Sequence, residues 1–255
     1  MLEEQCRLCT IRNTDEYLTQ DTLHKEFIMT YSRDDVAKLI DHAVLKPQAT
    51  IADLKSNAAM CIKLKVGCLC VRPCDVALAA AELEGSSTIV ASVIGFPHGN
   101  SRSETKALET RLAIADGAAE VDMVMNIGHF LSGETDFVKA DIEAVVAEAK
   151  PKGVVVKVIL ETCLLTPQQI AEACRIAEAA GADFVKTSTG FASSGATPEA
   201  IDVMVKTVGK TMKIKASGGI RSWNDAVAYL EQGCDRLGIG STETVLAGGI
   251  STESY

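Results

Sequence analysis

The chain has 255 residues, 47% of them hydrophobic and only 4% aromatic, with a formal net charge of −9 at pH 7. That is enough apolar material for a sizeable core, and the length suits one α/β barrel or two smaller domains. The acidic balance argues against nucleic acid, whose phosphates require basic stripes, but leaves room for one small phosphorylated ligand in a local electropositive pocket.

The N-terminus is polar and acidic, without the basic start and apolar stretch of a secretion signal. No apolar stretch of about 20 residues is present to span a membrane. Nine cysteines, at 6, 9, 61, 68, 70, 74, 163, 174 and 234, therefore read as reduced thiols of a cytoplasmic protein. Cys6 and Cys9 have redox or metal spacing, but no second suitable pair follows. The four histidines, at 24, 42, 98 and 129, are scattered, so no metal is expected.

Residues 1–32 show no clean period and read as an N-terminal extension to a single domain over 33–255. A rhythm then sets in. Apolar, β-prone runs occur at 39–45, 67–71, 88–96, 120–126, 154–161, 184–189, 213–217 and 236–240. Helical patterns lie between them at 51–65, 75–84, 103–116, 134–150, 167–180, 198–210 and 222–232. Thr166-Pro167 and Thr197-Pro198 each pair a capping residue with proline at the first helical position, and Thr50 and Ser222 offer similar caps. Gly117, Gly181 and Gly233 follow helices where a left-handed residue is wanted. Eight strands alternating with helices imply a parallel sheet, and eight is the number that closes a (β/α)8, or TIM, barrel. The alternative is an open doubly wound sheet, which would prefer an early G-x-G-x-x-G turn that this chain lacks.

Barrel active sites form at the C-terminal strand ends. The polar residues there include Asp41, Cys70, Asp122, Asn126, Glu161, Lys186, Lys215, Ser217 and Ser241. Lys186, in FVKTSTG, and Lys215, in KIKASGGIR, each end an apolar run followed by small residues. A solvent lysine has a pKa of about 10.4, so roughly 1 in 2,500 is neutral at pH 7. Bringing that value near 7 takes on the order of 4 kcal/mol, which burial and a second nearby cation can supply. One lysine would then be a nucleophile for carbonyls and the other its perturbing cation. The alternative is a structural pair of lysines bound to Asp41 or Asp122. In the run 120–126, Glu120, Asp122, Val124 and Asn126 share one face, expected to point inward, and Val121, Met123 and Met125 the other. Asp122 can then relay protons, or serve only as a salt-bridge partner. Glycines after the seventh and eighth runs, Gly218, Gly219 and Gly240, with Ser241 and Arg221 nearby, suit an oxyanion or simply make tight turns.

From about residue 36 onward the chain resembles the deoxyribose-phosphate aldolase family. The matching phrases include LIDHAVLKP (39–47), VIGFPHG (93–99), KVILET (157–162), GADFVKTSTGF (181–191) and KIKASGGIRS (213–222). The resemblance implies a metal-independent Schiff-base aldolase that interconverts 2-deoxy-D-ribose 5-phosphate with acetaldehyde and D-glyceraldehyde 3-phosphate. Its only covalent device would be a lysine imine, with no cofactor. Lys186 would form the imine, Lys215 would depress its pKa, Asp122 would work with a water in proton transfer, and Asp41 would support Lys215. The phosphate would lie on Gly190, Gly218, Gly219, Gly240 and Ser241, with Arg221 close by. Cys70 and Thr189 would line the substrate pocket, and the C-terminal Tyr255 would enter the site to assist protonation. The family commonly has two serines in the eighth-strand motif, and here the first is Gly240. The contact survives there if a backbone N–H makes it and is lost if a hydroxyl does. The expected partners are small phosphorylated sugars and short aldehydes, and a homodimer or higher homo-oligomer is left open.

Overall fold

The β-prone runs pair in chain order. In the computed structural model, which describes residues 31–252, they form strands β1 (Ile40–Val44), β2 (Cys68–Val71), β3 (Ile89–Ile94), β4 (Glu120–Val124), β5 (Val155–Ile159), β6 (Phe184–Lys186), β7 (Lys213–Ser217) and β8 (Arg236–Ile239). All are parallel, and β8 bonds back to β1 through the register Asp41↔Gly238, which closes the barrel and removes the open-sheet alternative. Ten helices accompany them among the described residues: α1 (Arg33–Lys38), α2 (Ile51–Leu64), α3 (Val76–Glu82), α4 (Ser103–Ala115), α5 (Ile127–Leu131), α6 (Thr135–Ala149), α7 (Pro167–Ala179), α8 (Pro198–Val208), α9 (Trp223–Glu231) and α10 (Thr242–Leu246). None of the described helices is long and apolar enough to cross a membrane. The extension expected over residues 1–32 lies, apart from Tyr31 and Ser32, outside the described residues.

Local chemistry sets the boundaries. Thr50, Thr166 and Ser222 each accept from the backbone three residues on, and the side chains of Asp53, Gln169 and Asp225 return the bond as capping boxes. Thr197 caps α8 with its hydroxyl on the Ala200 amide. The junction glycines Gly117, Gly181 and Gly233 have φ of 108°, 84° and 109°, so the chain reverses from helix to strand without a Cβ clash. Three helices escape the sequence periods: α1, α5 and α10 span one turn or little more, too short to repeat an apolar face. The sixth strand is also shorter than expected. It ends at Lys186; the Thr187 amide and carbonyl still bond the Lys215 carbonyl and the Thr162 amide, its hydroxyl bonds the Ser217 carbonyl and amide, and from Ser188 side chains replace the ladder.

The core lies between barrel and helices, where Val121, Met123 and Met125 point outward into it as expected. The barrel interior is different. Asp41, Glu120, Asp122, Lys157, Lys186 and Lys215 are all buried there, where most barrels place branched apolar residues. A second buried lysine position lies outside the barrel. Lys106 on α4 donates to the Val124 carbonyl at 2.9 Å and to Asp141 of α6 at 2.5 Å, which ties both helices to the end of β4.

His42 makes a third polar tie. Asn57 donates its amide to the Asp53 carbonyl at 2.8 Å, which leaves its oxygen to accept from His42 Nε2 at 2.7 Å. Nδ1 then accepts from the Thr242 hydroxyl at 2.8 Å, so the neutral ring links β1, α2 and α10. Burial pushes its pKa down to about 4, from an ordinary value of 6.5. Below 6.5 the unfolded chain binds the proton and the folded one does not, so stability falls as pH falls. Between about pH 7 and pH 4, urea unfolding of the wild type is expected to lose about 3 kcal/mol more than a His42→Gln variant.

Candidate active site

The charged interior is built by register. Asp122 of β4 lies beside Lys157 of β5, and Lys186 of β6 lies beside Lys215 of β7. Alternation turns all four inward, and the small barrel radius brings their tips together. Lys157 Nζ donates to Asp122 Oδ1 at 2.7 Å, while Lys186 and Lys215 both donate to Oδ2, at 2.8 and 2.7 Å. One carboxylate thus receives three amines. Lys215 also bonds Asp41, whose other oxygen takes Arg236 at 2.5 Å. Glu120 bonds Lys157 and accepts from Arg236 at 3.1 Å.

The charges do not cancel. Lys157, Lys215 and Arg236 match Asp41, Glu120 and Asp122, which leaves Lys186 as a fourth cation in this bonded network. Burial lowers the pKa of Lys186; Asp122 opposes that, and the Lys215 cation adds to it, so the value ends below that of an ordinary lysine. Burial works on Lys215 in the same direction, but Asp122 and Asp41 outweigh it and hold its pKa above the ordinary range. The carboxyls of Asp122 and Asp41 are driven up by burial and down more strongly by the surrounding cations, so both stay ionised. The site therefore separates two adjacent lysines, one held above the ordinary lysine range and the other below it.

Above this cluster is an open cavity of about 660 Å³. It is lined by Gly190, Gly218, Gly219, Arg221, Gly240 and Ser241, so the residues expected to hold a phosphate share one wall. The two lysines do not line it; Lys186 ends β6 and Lys215 lies two residues before the end of β7, and the loops that follow both strands continue into it. The glycines fit a close backbone packing. A Cβ on Gly195, which also faces the cavity, would meet the Gly218 carbonyl oxygen at 2.1 Å, and Gly218 itself has φ of 78°. Ala196 N–H donates to the Ser217 and Gly218 carbonyls at 3.0 Å, fixing that approach.

Of the other expected positions, Cys70 lies near enough to the cluster for Asp122, Lys215 and Lys186 to act on its thiol, and Thr189 sits after β6. Thr189 is buried and bonded to Glu161. Cys70 packs with Leu45, Cys68, Ala91 and Val93, and its thiol is pushed up to about 11, chiefly by burial. Tyr255 lies outside the described residues. Asp41, Cys68 and Glu120 have donor atoms within 4.8 Å of one another, as a metal would need, but Lys157 and Arg236 already bond the two carboxylates.

Three residues of the site escaped sequence reasoning: Lys157, Glu120 as an ion-pair partner, and Arg236; Glu161 was legible as a polar strand end, but not its bond to Thr189. Lys157 carried a signal, since KVILET opens on a lysine inside an apolar run like those of Lys186 and Lys215. In register it lies opposite Phe184, two residues below Lys186, so it is one layer deeper in the barrel than the other two lysines. Arg236 starts its strand and gave no signal.

Comparison with known proteins gives consistent matches over most of the chain. The family described as DeoC/LacD family aldolase matches residues 35–240. A deoxyribose-phosphate aldolase of Clostridium perfringens is 47% identical over 223 residues, covering 88% of this chain and 99% of its own. One from Bacillus mycoides is 49% identical over 212 residues, covering 83% and 95%. Among solved structures, the tetrameric deoxyribose phosphate aldolase of Aeropyrum pernix superposes with a TM-score of 0.80 at 34% identity, covering 85% of this chain and 91% of that one.

The unequal charges predict unequal costs. Lys157→Met strips Asp122 and Glu120 of a buried partner and is expected to cost about 3–5 kcal/mol in urea unfolding. Lys186→Met removes the unmatched cation and is expected to cost under about 1 kcal/mol or to stabilise.

Proposed function

The chain belongs to the DeoC/LacD family of aldolases, and we propose that it cleaves and forms 2-deoxy-D-ribose 5-phosphate through an imine on Lys186. The observation that carries this reading is the sharing of Asp122 Oδ2 by Lys186 and Lys215, with the pKa of Lys186 lowered and that of Lys215 raised. Such a pair supplies a nucleophilic amine and keeps its neighbour charged.

Neutral Lys186 adds to the aldehyde carbon of the open-chain sugar, and loss of water gives an iminium. Removal of the C3 hydroxyl proton breaks the C2–C3 bond, and the electron pair moves to the iminium nitrogen. D-Glyceraldehyde 3-phosphate leaves. The enamine on Lys186 is protonated at carbon, and hydrolysis returns acetaldehyde and the free amine. Asp122, ionised and bonded to both lysines, carries the protons through a bound water. Asp41 holds Lys215 charged. The iminium is the electron sink, so the reaction needs no cofactor. The phosphate end lies in the cavity at Gly190, Gly218, Gly219, Gly240, Ser241 and Arg221. The tetramer of the Aeropyrum pernix relative makes a homo-oligomer the expected state here too.

Borohydride reduction in the presence of acetaldehyde, followed by peptide mapping, is expected to find the adduct at Lys186; an unmodified Lys186 would reject the proposal. Lys186→Ala should abolish trapping. Lys215→Ala should retain trapping but move its pH profile upward, because the cation that lowers the Lys186 pKa is gone. Loss of phosphate affinity alone in Lys215→Ala would contradict this division of labour.

A further inference from the structure

Glu161, at the end of β5, has a backbone that its side chain does not favour. Its φ and ψ are 57° and 61°, and Lys65, at the end of α2, is the only other non-glycine with positive φ among the described residues. Lys65 closes a helix, where the left-handed region is commonly used. Glu161 instead precedes a turn of 3-10 helix (Thr162–Leu164) and is buried. A left-handed glutamate persists only where its surroundings over-determine it, and such positions cluster at functional sites.

Two backbone bonds bracket Glu161: Leu160 donates to the Lys186 carbonyl at 2.9 Å and Thr162 to the Thr187 carbonyl at 3.0 Å. The side chain, turned inward by the left-handed backbone, meets Thr189. Thr189 Oγ1 donates to Glu161 Oε2 at 2.5 Å, and the Thr189 amide lies 3.3 and 3.4 Å from the two carboxylate oxygens. The same hydroxyl accepts from the Phe191 amide at 3.0 Å. Phe191 in turn packs edge-on against Phe96 of the loop after β3, with ring centroids 5.2 Å apart.

These contacts divide the segment after β6 into two parts. Lys186 is held by strand pairing to β5 and β7, and Ser188 is held by Ser217 through both its amide and its carbonyl. From Thr189 onward the ladder is gone, and the Glu161 carboxylate is the anchor of the turn that places Gly190, φ 86°, on the cavity wall. We propose that Glu161 is a positioning residue for the phosphate end of the substrate: through Thr189 it fixes the Gly190 turn, while leaving the placement of Lys186 to the strands. This rests on the aldolase reading given above.

The test compares 2-deoxy-D-ribose 5-phosphate with unphosphorylated 2-deoxy-D-ribose. Glu161→Gly, which relieves the left-handed backbone and removes the clamp, is expected to raise KM for the phosphorylated sugar at least tenfold. Its kcat should stay within threefold, and kcat/KM for the unphosphorylated sugar within threefold. Glu161→Gln keeps an acceptor oxygen for the Thr189 hydroxyl and should restore KM to within threefold of wild type. If the Glu161 variants do not fold, Thr189→Val is the second readout and should raise KM for the phosphorylated sugar at least tenfold more than KM for the unphosphorylated one. An unchanged KM, an equal loss on both sugars, or a Glu161→Gln variant as impaired as Glu161→Gly would each overturn the inference. Wild-type trapping of acetaldehyde on Lys186 is the separate control: its absence would defeat the aldolase reading, whatever Glu161 does.

Discussion

The structure depends on one carboxylate. Asp122 is fully buried inside the barrel and accepts three lysines, which ties β4, β5, β6 and β7 together through one side chain. Ionised carboxylate and ammonium groups are each costly to bury alone, and a network of both signs is the condition under which either survives there. The network also ends one cation in excess. Because the interior cannot screen that excess, it falls on the group with the fewest carboxylate contacts, Lys186. The same electrostatics that hold the barrel interior together thus lower the pKa of one of its amines.

The rest of the molecule serves that arrangement at a distance. Capping boxes and left-handed glycines set where each helix stops and each strand begins, and strand register then determines which inward residues become neighbours. Lys106 and Asp141 brace the end of β4 from outside. His42, held neutral between Asn57 and Thr242, ties the first strand to the turn that carries Ser241. At the cavity, close backbone contact between Gly195 and Gly218 and the side-chain anchor of Glu161 on Thr189 take over where strand pairing ends.

Much of this was legible in the sequence because it was local. Eight apolar runs, their intervening helical periods and their caps fixed the element order, and a period of two placed Glu120 and Asp122 on one inward face. The family phrases then marked Lys186, Lys215, Asp41 and the loop glycines. Lys157 and Arg236 were not legible. Their side chains matter only because β5 and β8 bring them to carboxylates 35 or more residues away in sequence, and nothing in their own segments reveals that distance is closed. Glu161 was visible as a polar strand end, but its left-handed backbone and its grip on Thr189 leave no mark in composition or period.

The sequence by itself determined the fold, the family and the two lysines, because periodicity, capping and motif spacing are properties of contiguous residues. Only the tertiary structure decided what those lysines are. How readily an amine gives up its proton depends on burial and on the charges around it, and the charges of this network come from six strands. Closure of the barrel brings Asp41 of β1 to Lys215 of β7 and leaves Lys186 with a share of one carboxylate oxygen. That asymmetry between two similar motifs is a product of three-dimensional charge balance, which no single segment of the chain encodes.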